Sequence, residues 1–267
     1  MNRIETKFRE LRHRGESAFM PYICAGDPTA RISRELLMTL ETSGADIIEF
    51  GVPFSDPIAD GPTIQRASER ALGANISLEQ ILDLVQDLRH ETEIPITLMT
   101  YYNTIFRMGE SQFCKTAADA GVDGVIVPDL PPEEADTLLT IAPQHKLSTI
   151  FLVAPTSPSE RLRAIASIST GFIYCVSVTG VTGARDSLSN ELPPMISQLR
   201  EYTDKPICAG FGVSTRAQAH AVSQIADGVI VGSAIINVIE EHLNDESAMI
   251  SKVGNFAKEL AEGIKKK

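Results

Sequence analysis

Residues 43–51 read SGADIIEFG: the end of a helix, an aspartate, a short apolar run and a glycine turn. The phrase returns as AGVDGVIVPD at 120–129 and as IADGVIVGS at 225–233. Each instance sets a helix-ending residue and an aspartate just before an apolar run, a weak internal repeat of a helix–strand unit. The three runs, 45–50, 123–127 and 227–231, are joined by five more at 18–24 (AFMPYIC), 96–100 (ITLMT), 148–153 (STIFLV), 171–177 (GFIYCVS) and 205–210 (KPICAG). Their apolarity is continuous rather than alternating, as in strands of a parallel sheet covered on both faces.

Helical segments lie between these runs. Ser77 opens SLEQILDLVQDLRHE, with Gln80 three residues on as in a capping box. Pro131-Pro132 and Ser157-Pro158 put proline at the start of the next two. Asp27-Pro28 precedes RISRELLMTLETSG, and Ser214 precedes TRAQAHAVSQ. One more amphipathic helix, roughly 2–14, comes before the first strand. Eight strands alternating with helices predict an α/β chain folded as a (β/α)8 TIM barrel, one domain over 1–267. A doubly wound open sheet is the competing architecture; strands of such similar length favour closure, and no Gly/Ser-rich linker divides the chain. The longest connections, 51–76 and 178–190, belong to the face on which a barrel carries its active site.

Composition narrows the function. Apolar residues are 43% and charged residues 22% of the chain, an ordinary globular profile. A net charge of −11 argues against nucleic acid or an anionic membrane as partner, but not against a small anion held by backbone amides. Cys24, Cys114, Cys175 and Cys208 show no metal-ligand spacing and read as free thiols of a cytoplasmic protein. No apolar run approaches the roughly 20 residues of a membrane span. The opening MNRIETKFRELRHRG lacks the apolar core of a secretory signal, so none is expected.

The strand ends on the functional face carry few groups able to do chemistry. His13, His90, His145, His220 and His242 all fall on helices or helix ends, and no metal is expected. Lys146 and Lys205 lie at strand starts, so a Schiff-base lysine is missing where it would be needed. Cys24 and Ser177 have no histidine to activate them. Carboxylates remain, above all in EFGVPFSDPIADGPT (49–63), a tightly punctuated loop with Glu49, Asp56 and Asp60. Asp27 and Asp129 precede helix starts, where capping explains them as well as catalysis does, and Asp56 before proline fits a turn. Glu49, on the end of a buried strand, is costly to bury charged and is the candidate general acid–base. Tyr22, Met99, Tyr101, Tyr174 and Phe211, also from strand ends, would make the mouth apolar. After the last two strands come GFGVST (210–215) and GSAI (232–235), each a glycine turn into a helix start. Such a pair favours a phosphate held by the amides of Gly212, Gly232 and Ser233 and the Ser233 hydroxyl, with Gly183 as a further contributor.

EFGVPFSDPIADGPTIQ closely resembles the signature of the tryptophan synthase alpha subunit family. AGDPT (25–29), VPDLPPEE (127–134), YCVSVTGVTGAR (174–185), GFGVST and VGSAI extend the likeness along essentially the whole chain. The resemblance implies retro-aldol cleavage of indole-3-glycerol phosphate to indole and glyceraldehyde 3-phosphate, without metal or cofactor in this chain. It implies Glu49 as general acid–base and Asp60 as acceptor of the indole N–H. Tyr174 would lie near the glycerol portion, and Phe211, Tyr101, Tyr22 and Met99 would line the indole pocket. The loop 178–190 would be a lid, with Thr182 meeting Asp60 on closure. The turn around Asp56-Pro57 would face a beta subunit, whose pyridoxal phosphate joins indole to serine in an αββα assembly. A free-standing indole-3-glycerol phosphate lyase, or a catalytically weak barrel acting as allosteric partner, shares these features. A phosphosugar isomerase is disfavoured by the missing lysine and histidine.

Overall fold

The computed structural model describes residues 2–176, 191–210 and 212–265. Among these residues nine parallel strands form a nearly closed barrel: β1 Ala18–Cys24, β2 Ile48–Gly51, β3 Ile96–Met99, β4 Gly124–Ile126, β5 Ser148–Ile150, β6 Leu152–Val153, β7 Ile173–Val176, β8 Ile207–Gly210 and β9 Gly228–Val231. Their order is β5-β4-β3-β2-β1-β9-β8-β7-β6. The eight expected runs are all there. The fifth is split at Phe151 into β5, which pairs with β4, and β6, which pairs with β7. Since β5 and β6 are consecutive in the chain, Phe151 joins the two edges of the sheet and nearly closes the ring.

The surrounding helices are α1 Arg3–Arg14, α2 Ala30–Thr42, α3 Pro62–Gly73, α4 Leu78–Leu88, α5 Tyr102–Met108, α6 Glu110–Ala120, α7 Asp136–Ile141, α8 Ser159–Ile168, α9 Leu192–Arg200, α10 Arg216–Ser223, α11 Ser233–Glu241 and α12 Glu246–Lys265. The Ser77/Gln80 capping box is present on α4. Three expectations change. The connection 51–76 contains a full helix, α3. Helix α2 is capped by Thr29, whose hydroxyl accepts from Ile32 N–H, and not by Asp27. Helix α10 is capped by Thr215 rather than Ser214.

Strand side chains alternate between two cores. Phe19, Ile23, Ile48, Phe50, Leu98 and Val125 face the helices. Ala18, Met20, Ile47, Ile126, Ile150, Phe172, Tyr174, Cys208 and Ile230 fill the barrel, with Ile4, Phe8 and Leu11 of α1 packed among them. Helix α1 therefore plugs the end where the strands begin, with Phe8 against Phe172 at 5.9 Å between ring centroids. Burying each such side chain contributes about 1.5–3 kcal/mol. With that end filled by α1, the described barrel interior faces a ligand from the opposite mouth.

The repeated aspartate also acquires a role. Asp46 donates its N–H to Phe19 C=O, and its carboxylate accepts from Phe19 N–H, both at 2.9 Å. Asp123 does the same with Ile96 (2.9 and 3.0 Å), and Asp227 with Ile207 (2.8 and 2.8 Å). Each clamps the first residue or two of a neighbouring strand through backbone and side chain together. That is why the expected strands at 45, 123 and 227 begin later: the aspartate completes the ladder with its side chain. Cations neutralise the carboxylates: Lys265 beside the buried Asp46, Arg89 and Arg3 beside the buried Asp123, and Arg200 beside the half-buried Asp227. Replacing Asp123 by alanine leaves Ile96 N–H without its carboxylate acceptor and the Arg89 guanidinium without its counter-charge, bonded only to the carbonyls of Gly121, Thr92 and Ile94. It should lower unfolding free energy by about 3 kcal/mol in a denaturant titration; a loss below about 1 kcal/mol would refute the clamp.

Candidate active site

Glu49 stands on β2 between Tyr22 of β1 and Thr97 of β3, its register partners. Strand parity turns it into the barrel, and it is 1% exposed. One carboxyl oxygen, Oε2, is buried with no hydrogen-bond partner. Burial is the main force raising its pKa to about 8; the negative charge of Asp60 adds to it, and a hydrogen bond from Tyr174 opposes it. The group is thus mostly protonated at neutral pH. The Tyr174 phenol, buried beside it, is pushed well above its usual range by burial and then by Glu49.

Asp60 returns to the same mouth from the far end of the loop after β2. Burial raises its pKa to about 6, and the Tyr101 hydroxyl, donating to Oδ2 at 3.1 Å, pulls the other way. The same hydroxyl accepts from Ala59 N–H at 2.9 Å, while the Tyr101 ring stacks on Phe54 at 5.0 Å and 20°. One tyrosine therefore clasps both ends of segment 54–60. Between them Ser55 donates to Asp56 and Ile58 N–H bonds back to Asp56 C=O, so Asp56 serves the turn. At the end of the loop Gln65 of α3 donates to Asp60 C=O at 2.8 Å.

The two carboxyls share an environment of phenols. Tyr22 is 6%, Tyr101 4% and Tyr174 8% exposed, and Met99 is half-buried at the end of β3. Their seats depend on two glycines that sequence reading passed over. A Cβ on Gly51 would fall 2.2 Å from the Tyr22 hydroxyl, and one on Gly210 would fall 2.9 Å from the Tyr174 ring and hydroxyl. The only signal was position: each glycine ends an apolar strand. Phe54, also missed, sits inside the quoted loop.

Gly212 has φ +67°, a left-handed conformation that favours glycine. Gly232 is the N-cap of α11, with Ser233 in its first turn, where backbone N–H groups lack intrahelical acceptors. Phe211, Thr182, Gly183, Ser177 and the loop 178–190 lie outside the described residues. Two clefts open on the rim, one of about 130 Å³ along Val127, Leu130, Phe151 and Arg161, the other of about 400 Å³ along Pro53, Phe54, Ile76 and Arg107. Neither is lined by Glu49 or Asp60.

Asp27 and Asp129, left open between capping and catalysis, are resolved by their partners. Asp129 accepts from Tyr102 N–H at 2.8 Å and so caps α5, not the helix that follows it. Asp27 is paired with Arg70 at 2.7 and 2.9 Å. Among the described residues no group of three or more His, Cys, Asp or Glu could hold a metal ion, and no helix is long and apolar enough to cross a membrane.

Fold and site together define a parallel α/β barrel enzyme, plugged at one end, with two carboxyls of raised and separated pKa at the other. The profile of the tryptophan synthase alpha chain family matches residues 8–265. The tryptophan synthase alpha chain of Geotalea uraniireducens (strain Rf4) is 48% identical, over 99% of this chain and 98% of its own. A solved tryptophan synthase subunit alpha from Legionella pneumophila superposes with a TM-score of 0.91 at 38% identity, covering 99% and 98% of the two chains. A tryptophan synthase structure from Mycobacterium tuberculosis gives 0.92 at 38% identity, covering 100% and 99%. The chain belongs to the tryptophan synthase alpha chain family. It is accordingly a lyase of tryptophan biosynthesis, and an alpha chain implies a beta-subunit partner.

Proposed function

We propose that this chain, acting as one barrel domain, cleaves indole-3-glycerol phosphate with Glu49 as proton carrier and Asp60 as the fixed negative charge. The observation that carries the reading is the separation of the two pKa values, about 8 for Glu49 and about 6 for Asp60. Between them one group is protonated and the other ionised, as an acid and an electrostatic partner require. Glu49 gives its proton to indole C3, leaving the ring nitrogen cationic, and Asp60 accepts the N–H and stabilises that charge. The resulting Glu49 carboxylate takes the proton of the glycerol hydroxyl on the carbon attached to the ring. That O–H pair becomes the aldehyde, the C–C pair returns to the indole, and Glu49 ends protonated as it began. No water is consumed and no other reactant is needed.

Tyr22, Met99, Tyr101 and Phe211 form the indole pocket in this reading, Tyr174 faces the glycerol portion, and Thr182 with Gly183 belongs to a lid. The amides of Gly212, Gly232 and Ser233 hold the phosphate. Gly212→Asp brings a carboxylate and a side chain into that seat, in a backbone conformation that strains it; KM should rise at least tenfold with kcat less affected. An unchanged KM would remove the phosphate assignment.

The outer turn of the Asp60 loop is read as the docking surface for the beta subunit, in an αββα complex in the cytoplasm, with pyridoxal phosphate confined to that partner. Ile58 on this turn is 85% exposed and Phe106 on α5 is 69% exposed, large apolar groups that a partner would cover. Ile58→Asp should leave basal cleavage within about twofold while weakening partner binding by tenfold or more; unaltered stimulation by the partner would exclude this surface. The direct test is indole release from indole-3-glycerol phosphate, with and without beta subunit. Activity raised strongly by the partner is the expected result. Partner-independent activity would make the chain a free-standing lyase, and no indole in either case would overturn the reaction.

A further inference from the structure

Helices α3 and α11 both begin at the open mouth. Helix α3 continues directly from Asp60, whose C=O it holds through Gln65, and α11 starts with Gly232 and Ser233. The two helices pack on each other. They are joined by four charged side chains. Arg70 of α3 makes a two-pronged ion pair with Asp27, which follows β1, at 2.7 and 2.9 Å. Its remaining Nη reaches Glu240 of α11 at 3.2 Å. Arg66, one turn earlier on α3, grips the same Glu240 through Nε and Nη2, both at 2.7 Å.

The halves of this network differ in weight. Arg66 and Glu240 are 45% and 29% exposed, so water and salt screen their attraction. The Asp27 side chain is fully buried and Arg70 is 19% exposed. That pair is poorly screened and geometrically rigid. Asp27 is not a cap, for Thr29 caps α2, and the nitrogen of Pro28 that follows it carries no hydrogen to donate. Its visible work is to hold Arg70.

Resting on the lyase reading above, we propose that Arg70 is a positioning residue: bonded to Asp27 and Glu240, it locks the helix that carries Asp60 against the helix that carries the phosphate amides. It touches neither reacting atoms nor phosphate. Its role is to keep constant the span between the group that reads the indole N–H and the groups that read the phosphate. A substrate bound at both ends gains affinity because the second contact is intramolecular, and that gain vanishes when the span is wrong. Shifts on the order of 1 Å in such a frame are also enough to slow the chemical step. Fragments that occupy one end only are indifferent to the span.

This separates positioning from general support. Arg70→Met alone strands Asp27 as a buried charge and risks unfolding the chain. The informative protein is therefore the double variant Asp27→Asn with Arg70→Met, which removes charge and cation together, compared with Arg70→Lys and wild type in the full-length chain. Three quantities are measured: kcat and KM for indole-3-glycerol phosphate, the dissociation constant of glycerol 3-phosphate, and that of indole. The expected result is a fall in kcat/KM of roughly tenfold or more in the double variant, while each fragment binds within about twofold of wild type. Arg70→Lys, which keeps one contact to Asp27, should recover part of the loss.

Wild-type kinetics in a folded double variant would overturn the proposal. So would fragment affinities that fall as far as that of the whole substrate, because the end sites themselves would then be damaged. A wild-type chain that releases no indole would instead overturn the lyase reading and this inference with it, an outcome recognisable before any variant is made.

Discussion

Glu49→Gln should abolish indole release, with kcat falling at least a thousandfold and KM changing little. The amide keeps the volume and the polarity of the side chain but can neither give nor take the proton. Near-wild-type turnover would end the assignment. The same substitution should make the protein more stable, with a pH dependence whose sign follows from burial. The folded pKa of Glu49, about 8, lies above the unfolded value of about 4.5. The folded state therefore holds a proton that the unfolded chain gives up between these values, and the wild type loses stability as pH rises from about 4.5 to about 8. At 1.36 kcal/mol per unit the full effect is about 5 kcal/mol above pH 8. Glutamine has no such loss. The unfolding temperatures of the two proteins should diverge from pH 5 to pH 8 and stay apart beyond it. A constant difference would mean that Glu49 is not buried in its protonated form.

Asp60→Asn is the second large effect. The ring nitrogen would still find a hydrogen-bond acceptor, but the negative charge facing the developing cation would be gone, and kcat should fall by about 10²–10³. The pH profile of kcat/KM carries a finer test. In the wild type the rate should rise as Asp60 ionises near pH 6 and fall as Glu49 loses its proton near pH 8. In Asp60→Asn the acid limb disappears. The alkaline limb should also move to lower pH, because the charge that helped raise Glu49 has been removed. An alkaline limb that stays in place would separate the two carboxyls electrostatically and refute their shared site.

Much of this arrangement is legible in the chain itself. Parallel strands buried on both faces show as uninterrupted apolar runs, and helix starts show as capping residues, because both depend on near neighbours in sequence. A glutamate that interrupts such a run, as Glu49 does, stands out because burying a charge is expensive wherever it happens. The strands begin one to three residues later than the apolar runs where Asp46, Asp123 and Asp227 replace ladder bonds with side-chain ones; the deciding partner lies on another strand, 20 to 27 residues away. In connection 51–76 glycines and prolines dominate the local pattern, whereas α3 is stabilised by packing on α11 and β1.

Fold class and the choice of Glu49 as candidate acid–base group are thus legible in sequence alone, through periodicity and through the cost of placing a carboxyl in an apolar strand. Tertiary structure alone decided that Asp27 binds Arg70 rather than capping a helix, that Asp129 caps α5, that Tyr101 clasps the Asp60 loop, and that Glu49 and Asp60 differ in pKa. Each of these depends on distance and shared burial between residues far apart in the chain: 41 positions for Tyr101 and Asp60, 43 for Asp27 and Arg70, 170 for Arg70 and Glu240. Electrostatic energy is set by separation in space and by the water excluded between the groups, and neither quantity is written in the order of residues.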